Sequence, residues 1–291
     1  MTRLASFLAV VWGLLLLCLS SAAAFDVPAS AKGADAIENG DPRVEAELLI
    51  SQPAEVGQEV EVGVFFRMDP DWHIYWRNSG ESGFATTIEF GAHAGPLQWQ
   101  APHVFVDPSG TISTFGFSNE TLIWSKTKRP EGEDTLQAVV SFLACKVDCI
   151  PGKLELSRPW DSTVSEQETA VFETYRQTQT QTAAELGLTV KLEIFPASLV
   201  SGQNADATLT LKANDGSLEL AEGVPDYLFV PDAHQDVEWR TVKTQAADKQ
   251  VTLQLHGRAL PGDFGPECVV RGVVHLLLNG TPRALDVVAP V

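Results

Sequence analysis

The sequence predicts an all-β protein: two immunoglobulin-like β-sandwich domains joined by a short helical linker. Three observations carry this. Short segments in which polar and apolar residues alternate recur along most of the 291 residues, as half-buried strands require. Clusters of Gly, Pro and Asp punctuate them at the spacing of a sandwich, not of strands alternating with long helices. One segment, residues 165–186, breaks the alternation and divides the chain. The hydrophobic fraction of 44% is that of a globular protein, and the length suffices for two cores.

Residues 1–24 have the anatomy of an export leader. Arg3 supplies the positive start and residues 4–19 are apolar. Ser20, Ser21, Ala22, Ala23 and Ala24 then offer small residues to a peptidase. Cleavage is expected near Ala24. The apolar run falls short of the ~20 residues of a spanning helix, which weighs against an uncleaved anchor. Leu17 stands before Cys18, where a lipoprotein leader has a small residue. No later stretch is long and apolar enough to span a membrane, so the mature chain is expected to be exported and soluble.

Residues 25–163 are expected to form the first sandwich. Residues 45–50 and 59–64 alternate in strand fashion, and residues 86–90, 121–124 and 136–143 continue the series. Residues 164–187 are expected to be the helical linker. Ser165 and Glu168 have the spacing of a capping box, and Val171, Phe172 and Tyr175 give an apolar stripe. The Thr-Gln run at residues 177–182 is a poor helix former, so the helix fades there. Residues 188–291 are expected to form the second sandwich, with strand signals at 189–194, 207–211, 250–255 and 269–278.

Charge excludes whole classes of partner. Twenty Lys+Arg stand against 38 Asp+Glu, a formal net charge of −18. Nucleic-acid phosphates and anionic lipid surfaces both need cationic patches, so neither is expected as a partner. No G-x-S-x-G, H-E-x-x-H or phosphate loop is present, which leaves hydrolytic chemistry without support. Gly80-Glu81-Ser82-Gly83 reads as a turn.

The cysteines carry the chemistry. Beyond the leader there are three: Cys145, Cys149 and Cys268. Cys145 follows the apolar run Phe142-Leu143-Ala144, and Ile150-Pro151-Gly152 follows Cys149. On an extended strand their Cα atoms would lie ~13 Å apart, so a bond requires a turn that brings them within ~7 Å. Pro151 and Gly152 point to a turn here. Such a bridge closes a very small loop and removes little entropy from the unfolded chain. A local staple and an exchanging pair carry equal weight on spacing alone. A metal site lacks further ligands nearby in sequence, since His73, His93 and His103 approach only through the fold; no metal is expected. Cys268 is either a buried single thiol or half of an intermolecular bridge.

Several segments together resemble a known family. Residues 72–83 read Trp-His-Ile-Tyr-Trp-Arg-Asn-Ser-Gly-Glu-Ser-Gly, like the family's W-H-x-Y-W-x-N-x-G-x-S-G segment. Gly95 to Pro102 is similar to its G-x-x-x-W-P-x-P stretch, with Gln100 where Pro is usual. Phe115-Gly116-Phe117 resembles its aromatic-Gly-aromatic turn, and residues 145–151 its C-K-x-x-C-I-P redox motif. The family is the N-terminal periplasmic domain of the DsbD-type thiol:disulfide interchange proteins, within them the branch of the suppressor-of-copper-sensitivity B proteins. The resemblance is specific over residues 40–160 and looser beyond.

It implies a redox cycle at Cys145 and Cys149, with no cofactor and a periplasmic location. It implies electrons drawn from a membrane-embedded carrier or a thioredoxin-like protein and passed to envelope protein disulfides. Full-length relatives continue into a membrane carrier and a thioredoxin-like domain; this chain is expected to be the N-terminal module made separately. Phe115 and Phe117 match the aromatic loop that shields the family's active site, and core packing is the alternative for both. Trp72, Tyr75 and Trp76 read as packing, Tyr75 being the one with polar reach toward the cysteines and a place in the shield. The competing function is a non-catalytic envelope binding or assembly protein with a structural disulfide. Lys146 favours a thiolate at the pair and Asp148 opposes it.

Overall fold

Alternation becomes strands wherever one face is buried. The computed structural model describes residues 25–91, 94–107, 109–196, 200–214, 220–221, 229–232, 237–247, 250–260, 269–279 and 281–290. The expected leader, residues 1–24, and Cys268 lie outside the described residues. The first half runs β1 (Lys32–Glu38), β2 (Asp41–Ile50), β3 (Glu59–Met68), β4 (His73–Gly80), β5 (Thr87–Glu89), β6 (His103–Val106), β7 (Ser113–Ser118), β8 (Glu120–Lys128), β9 (Thr135–Cys145) and β10 (Cys149–Pro159). Helix α1 (Glu166–Thr178) follows. The second half runs β11 (Leu188–Phe195), β12 (Asn204–Ala213), β13 (Leu220–Ala221), β14 (Phe229–Pro231), β15 (Val237–Ala247), β16 (Gln250–Ala259), β17 (Val269–Leu278) and β18 (Thr281–Pro290). Among the described residues the chain is all-β apart from short helical pieces, as the alternation predicts.

Each half has two antiparallel sheets. In the first half, β1-β2-β3-β8 faces β10-β9-β4-β7-β6, with β5 also on β9. In the second, β11-β12-β16-β15 accompanies a sheet in which β17 pairs with β13, β14 and β18. The first core is aromatic: Trp76, Trp160, Phe66, Phe142 and Phe172 are all fully buried. Phe66 and Phe142 meet edge to face across it at 6.0 Å. The second core is smaller and mostly aliphatic, built from Leu209, Leu211, Leu253, Val274 and their neighbours.

Strand β9 shows where the pattern changes. Leu136, Ala138, Val140 and Phe142 face the core while the residues between them are more exposed. From Phe142 to Cys145 every residue is buried, so both faces of the sheet are covered at that end. The expected turn at Pro151-Gly152 is not there. Pro151 pairs with Leu143 and Gly152 with Phe142 inside the β9–β10 ladder. Pro is tolerated because β10 is an edge strand of its sheet. Gly is required because a Cβ at 152 would stand 2.3 Å from the Phe142 ring.

Helix α1 starts as its sequence predicts. Ser165 accepts from the Glu168 backbone, and the Glu168 carboxylate accepts from the Ser165 backbone, completing the capping box. The helix ends at Thr178, inside the Thr-Gln run. Phe172 is buried, with Val171 and Tyr175 packed beside it against the first core. Arg158 from β10 lies fully buried against Glu168, and also donates to the carbonyls of Leu48 and Thr163 and to the Ser162 hydroxyl.

The two halves are in contact. Val230, Val273 and Ala284 from the second half join the first core. Arg77 donates to Asp232 at 2.8 Å, and Asn78 donates to the Pro231 carbonyl at 2.8 Å. Both donors lie on β4, two and three residues beyond Tyr75. Among the described residues no helix is long and apolar enough to cross a membrane.

Candidate active site

Strand pairing brings the cysteines together. Cys145 is the last residue of β9 and Cys149 the first of β10, and they are partners in the register. Their Cα atoms are 4.2 Å apart and their sulfurs are bonded. Lys146, Val147 and Asp148 form the turn, closed by the Lys146 amide donating to the Asp148 carbonyl. The turn demanded by the spacing is real, but it lies between the cysteines and not after them.

The two sulfurs differ in surroundings. Cys145 is 3% exposed, whereas Cys149 is exposed to solvent together with the whole turn, Val147 standing out at 90%. Cys145 packs with Leu143 and Tyr75 in a small cluster of its own. The Tyr75 hydroxyl lies 3.2 Å from Cys145 Sγ and 3.8 Å from Cys149 Sγ. A disulfide sulfur carries no proton, so the phenol is the donor. Burial raises the Tyr75 hydroxyl above its ordinary pKa and keeps it protonated.

Tyr75 is held from both sides. Its carbonyl accepts from the Thr86 hydroxyl at 2.6 Å. Gly83, at φ +82°, lies so close over the ring that a Cβ there would be 2.6 Å from Tyr75 Cζ and 2.9 Å from the hydroxyl oxygen. The Gly80-Glu81-Ser82-Gly83 turn is thus a lid on Tyr75, and this is why it carries Gly there. Its Glu81 backbone and carboxylate are tied to Ser113 at the start of β7.

Other neighbours are set by strand register. His73 is the β4 partner of Cys145 and stacks on Phe105 at 4.2 Å. Burial lowers the His73 pKa, which leaves the ring neutral at pH 7. Lys146 pairs with Asp71 at 3.0 Å on the surface, so its charge already has a carboxylate partner.

Phe115 and Phe117 are not beside the sulfurs. Gly116 is the β4-facing partner of Tyr75, so alternation turns both Phe rings to the opposite face, where they join the main core. A Cβ at Gly116 would lie 2.1 Å from the Ile74 carbonyl oxygen, which explains the glycine between two aromatics. Phe115 and Phe117 both belong to the main core cluster, while Phe105, stacked on His73, joins Tyr75 on the cysteine face. Sequence reasoning missed Phe105, Gly83 and Thr86. Phe105 reaches the cysteine face through the β6 register, which sets His103 and Phe105 opposite Gly116 and Thr114, a pairing that forms only in the fold. Among the described residues no group of three or more His, Cys, Asp or Glu is placed to hold a metal.

The chain resembles known proteins in part of its sequence and in its fold. Residues 45–159 match the model of the family described as thiol:disulfide interchange protein DsbD, N-terminal. The N-terminal periplasmic domain of ScsB from Proteus mirabilis, known from a crystal structure, is 16% identical with a TM-score of 0.64. The match covers 89% of this chain and 98% of that one. At that identity the likeness establishes a common fold. A conserved domain protein from Bacillus anthracis, 9% identical over 89% of this chain and 91% of its own, has a TM-score of 0.24 and carries no argument. No curated protein sequence matches the chain.

Proposed function

From the match of residues 45–159 to the model of the DsbD N-terminal family of thiol:disulfide interchange proteins, we propose that this chain is an exported thiol:disulfide interchange module working through Cys145 and Cys149. It takes electrons from a membrane-embedded carrier or a thioredoxin-like protein and passes them to disulfides of envelope proteins. The observation that carries this is the unequal exposure of a bonded cysteine pair at a hairpin end. A staple has no use for one open sulfur, whereas exchange needs one sulfur that a partner can reach. A periplasmic location is supported by the leader-like sequence of residues 1–24 and by the periplasmic origin of the domain that shares the fold.

The cycle has two steps. A donor thiolate attacks Cys149 Sγ, a bond forms between the two proteins, and the Sγ–Sγ electron pair departs with Cys145. The donor's second thiol then attacks its own sulfur of the mixed disulfide and frees Cys149. The reduced pair reverses these steps on a target disulfide, with Cys149 attacking and Cys145 resolving.

Trapping tests this. Cys145→Ala removes the resolving thiol and is expected to accumulate mixed disulfides through Cys149 in the envelope. Cys149→Ala, which leaves only the buried thiol of the pair, is expected to accumulate far fewer. If neither captures a protein, and the native bridge resists reduction below about −300 mV, the pair is a staple.

A further inference from the structure

We propose that the Tyr75 hydroxyl is a catalytic group of this exchange, donating the hydrogen bond that receives the Cys145 sulfur as it leaves. The proposal rests on the reading of Cys145 and Cys149 as an exchanging pair, and it fixes which sulfur leaves. In the step concerned, a dithiol's thiolate bonds to Cys149 Sγ and the Sγ–Sγ bond breaks. The bonding pair stays on Cys145 Sγ, which becomes a thiolate, and the Tyr75 O–H points to that charge. The tyrosine keeps its proton, and the dithiol is oxidised as its second thiol resolves the mixed disulfide.

Three independent observations converge. The hydroxyl is nearer Cys145 Sγ, at 3.2 Å, than Cys149 Sγ, at 3.8 Å. Cys145 is the buried sulfur, where a new negative charge finds little water and needs a fixed donor. The donor is already in place, held by the Gly83 lid, the Thr86 hydroxyl and the β4 ladder, so no reorganisation accompanies the step. Cationic help is weak on this face. His73 is neutral because burial lowers its pKa, and Lys146 is engaged with Asp71. A neutral phenol suits a buried leaving thiolate better than a salt-bridged surface amine does.

The test is Tyr75→Phe in the full chain, which keeps the ring and removes only the hydroxyl. Two readouts are taken. One is the Cys145 thiol pKa in a Cys149→Ala background, from the difference in ultraviolet thiolate absorbance with and without Tyr75→Phe. The other is the rate of reduction of the intact pair by dithiothreitol across pH. Loss of a hydrogen bond to a charged sulfur is expected to raise the Cys145 pKa by about one unit and slow reduction about tenfold. Gly83→Ala displaces the phenol without deleting it and is expected to move both readouts in the same direction. A pKa and a rate unchanged in both variants overturn the proposal. If the Cys145→Ala trap still captures partners in that case, exchange stands and only the phenol's role falls. If dithiothreitol does not reduce the pair in the wild-type protein, the exchange reading falls, and this proposal with it.

Discussion

Gly152 shows how a residue that reads as a turn can be a packing requirement. In sequence, Pro151-Gly152 has the composition of a turn. In the structure the Phe142 ring occupies the space a side chain at 152 would need. Gly152→Ala is therefore expected to destabilise the protein by about 1–3 kcal/mol through overpacking, as measured by urea unfolding. A change below about 0.5 kcal/mol would mean that the ring moves aside freely. Gln100 makes a related point. It stands where the resembling family has Pro, is buried, and has both amide ends satisfied: it donates to the Leu122 carbonyl and accepts from the Thr121 hydroxyl. The departure from the motif thus leaves no buried polar group unpaired there. Tyr75 stood out in the sequence only as the aromatic with polar reach in its motif; its approach to Cys145, 70 positions away, is a product of the fold. For Phe115 and Phe117 a motif match leaves shield and core packing open, because strand register, not the motif, decides which face a side chain takes.

At the scale of elements, local signals were legible and tertiary ones were not. The capping box and the fading of the helix depend on neighbours within four residues, and both appear where the sequence puts them. Strand β10 was hidden by its Pro-Gly pair, and β4 by aromatic residues buried on both faces, which erase alternation. The clamp between β10 and α1 was invisible, because Arg158 and Glu168 meet only after folding. Glu168 serves two purposes, capping α1 and neutralising a guanidinium at 0% exposure. Glu168→Gln leaves that guanidinium charged and buried without its carboxylate. Its expected cost is on the order of 3 kcal/mol in chemical denaturation, since carbonyl and hydroxyl acceptors remain. A loss under about 1 kcal/mol would show that water reaches Arg158 in the variant.

At the scale of the whole molecule, the second half is joined to the strand that bears Tyr75. Arg77 and Asn78 continue β4 into contacts with Asp232 and Pro231, and Asp286 lies 4.0 Å from Arg77 at the same junction. Burial is the main reason that the Asp286 carboxyl is held above its ordinary value; Arg77 opposes it, Asp232 adds to it and Arg271 opposes it. A raised value means that the folded protein favours the protonated form. That contribution is complete below the ordinary carboxylate pKa of about 4 and is lost as pH rises through the folded value. Asp286→Asn is expected to raise the thermal midpoint at neutral pH and to change it little near pH ~3, where both side chains are neutral. A midpoint that falls at neutral pH would show that attraction to Arg77 outweighs burial. None of this junction was legible, because its groups come from segments more than 150 positions apart in the chain.

The β9–β10 hairpin has a consequence for how the protein carries information. Eleven register pairs hold the two strands, and the cysteines are only the last of them. When the bond opens, the ladder still presents one thiol to the other, so the effective molarity of the resolving sulfur stays high and no segment is released. The two oxidation states are therefore expected to share one fold and nearly one stability. A partner has no change of shape by which to tell a charged module from a spent one. It must read the difference at the sulfur itself, by reacting with it.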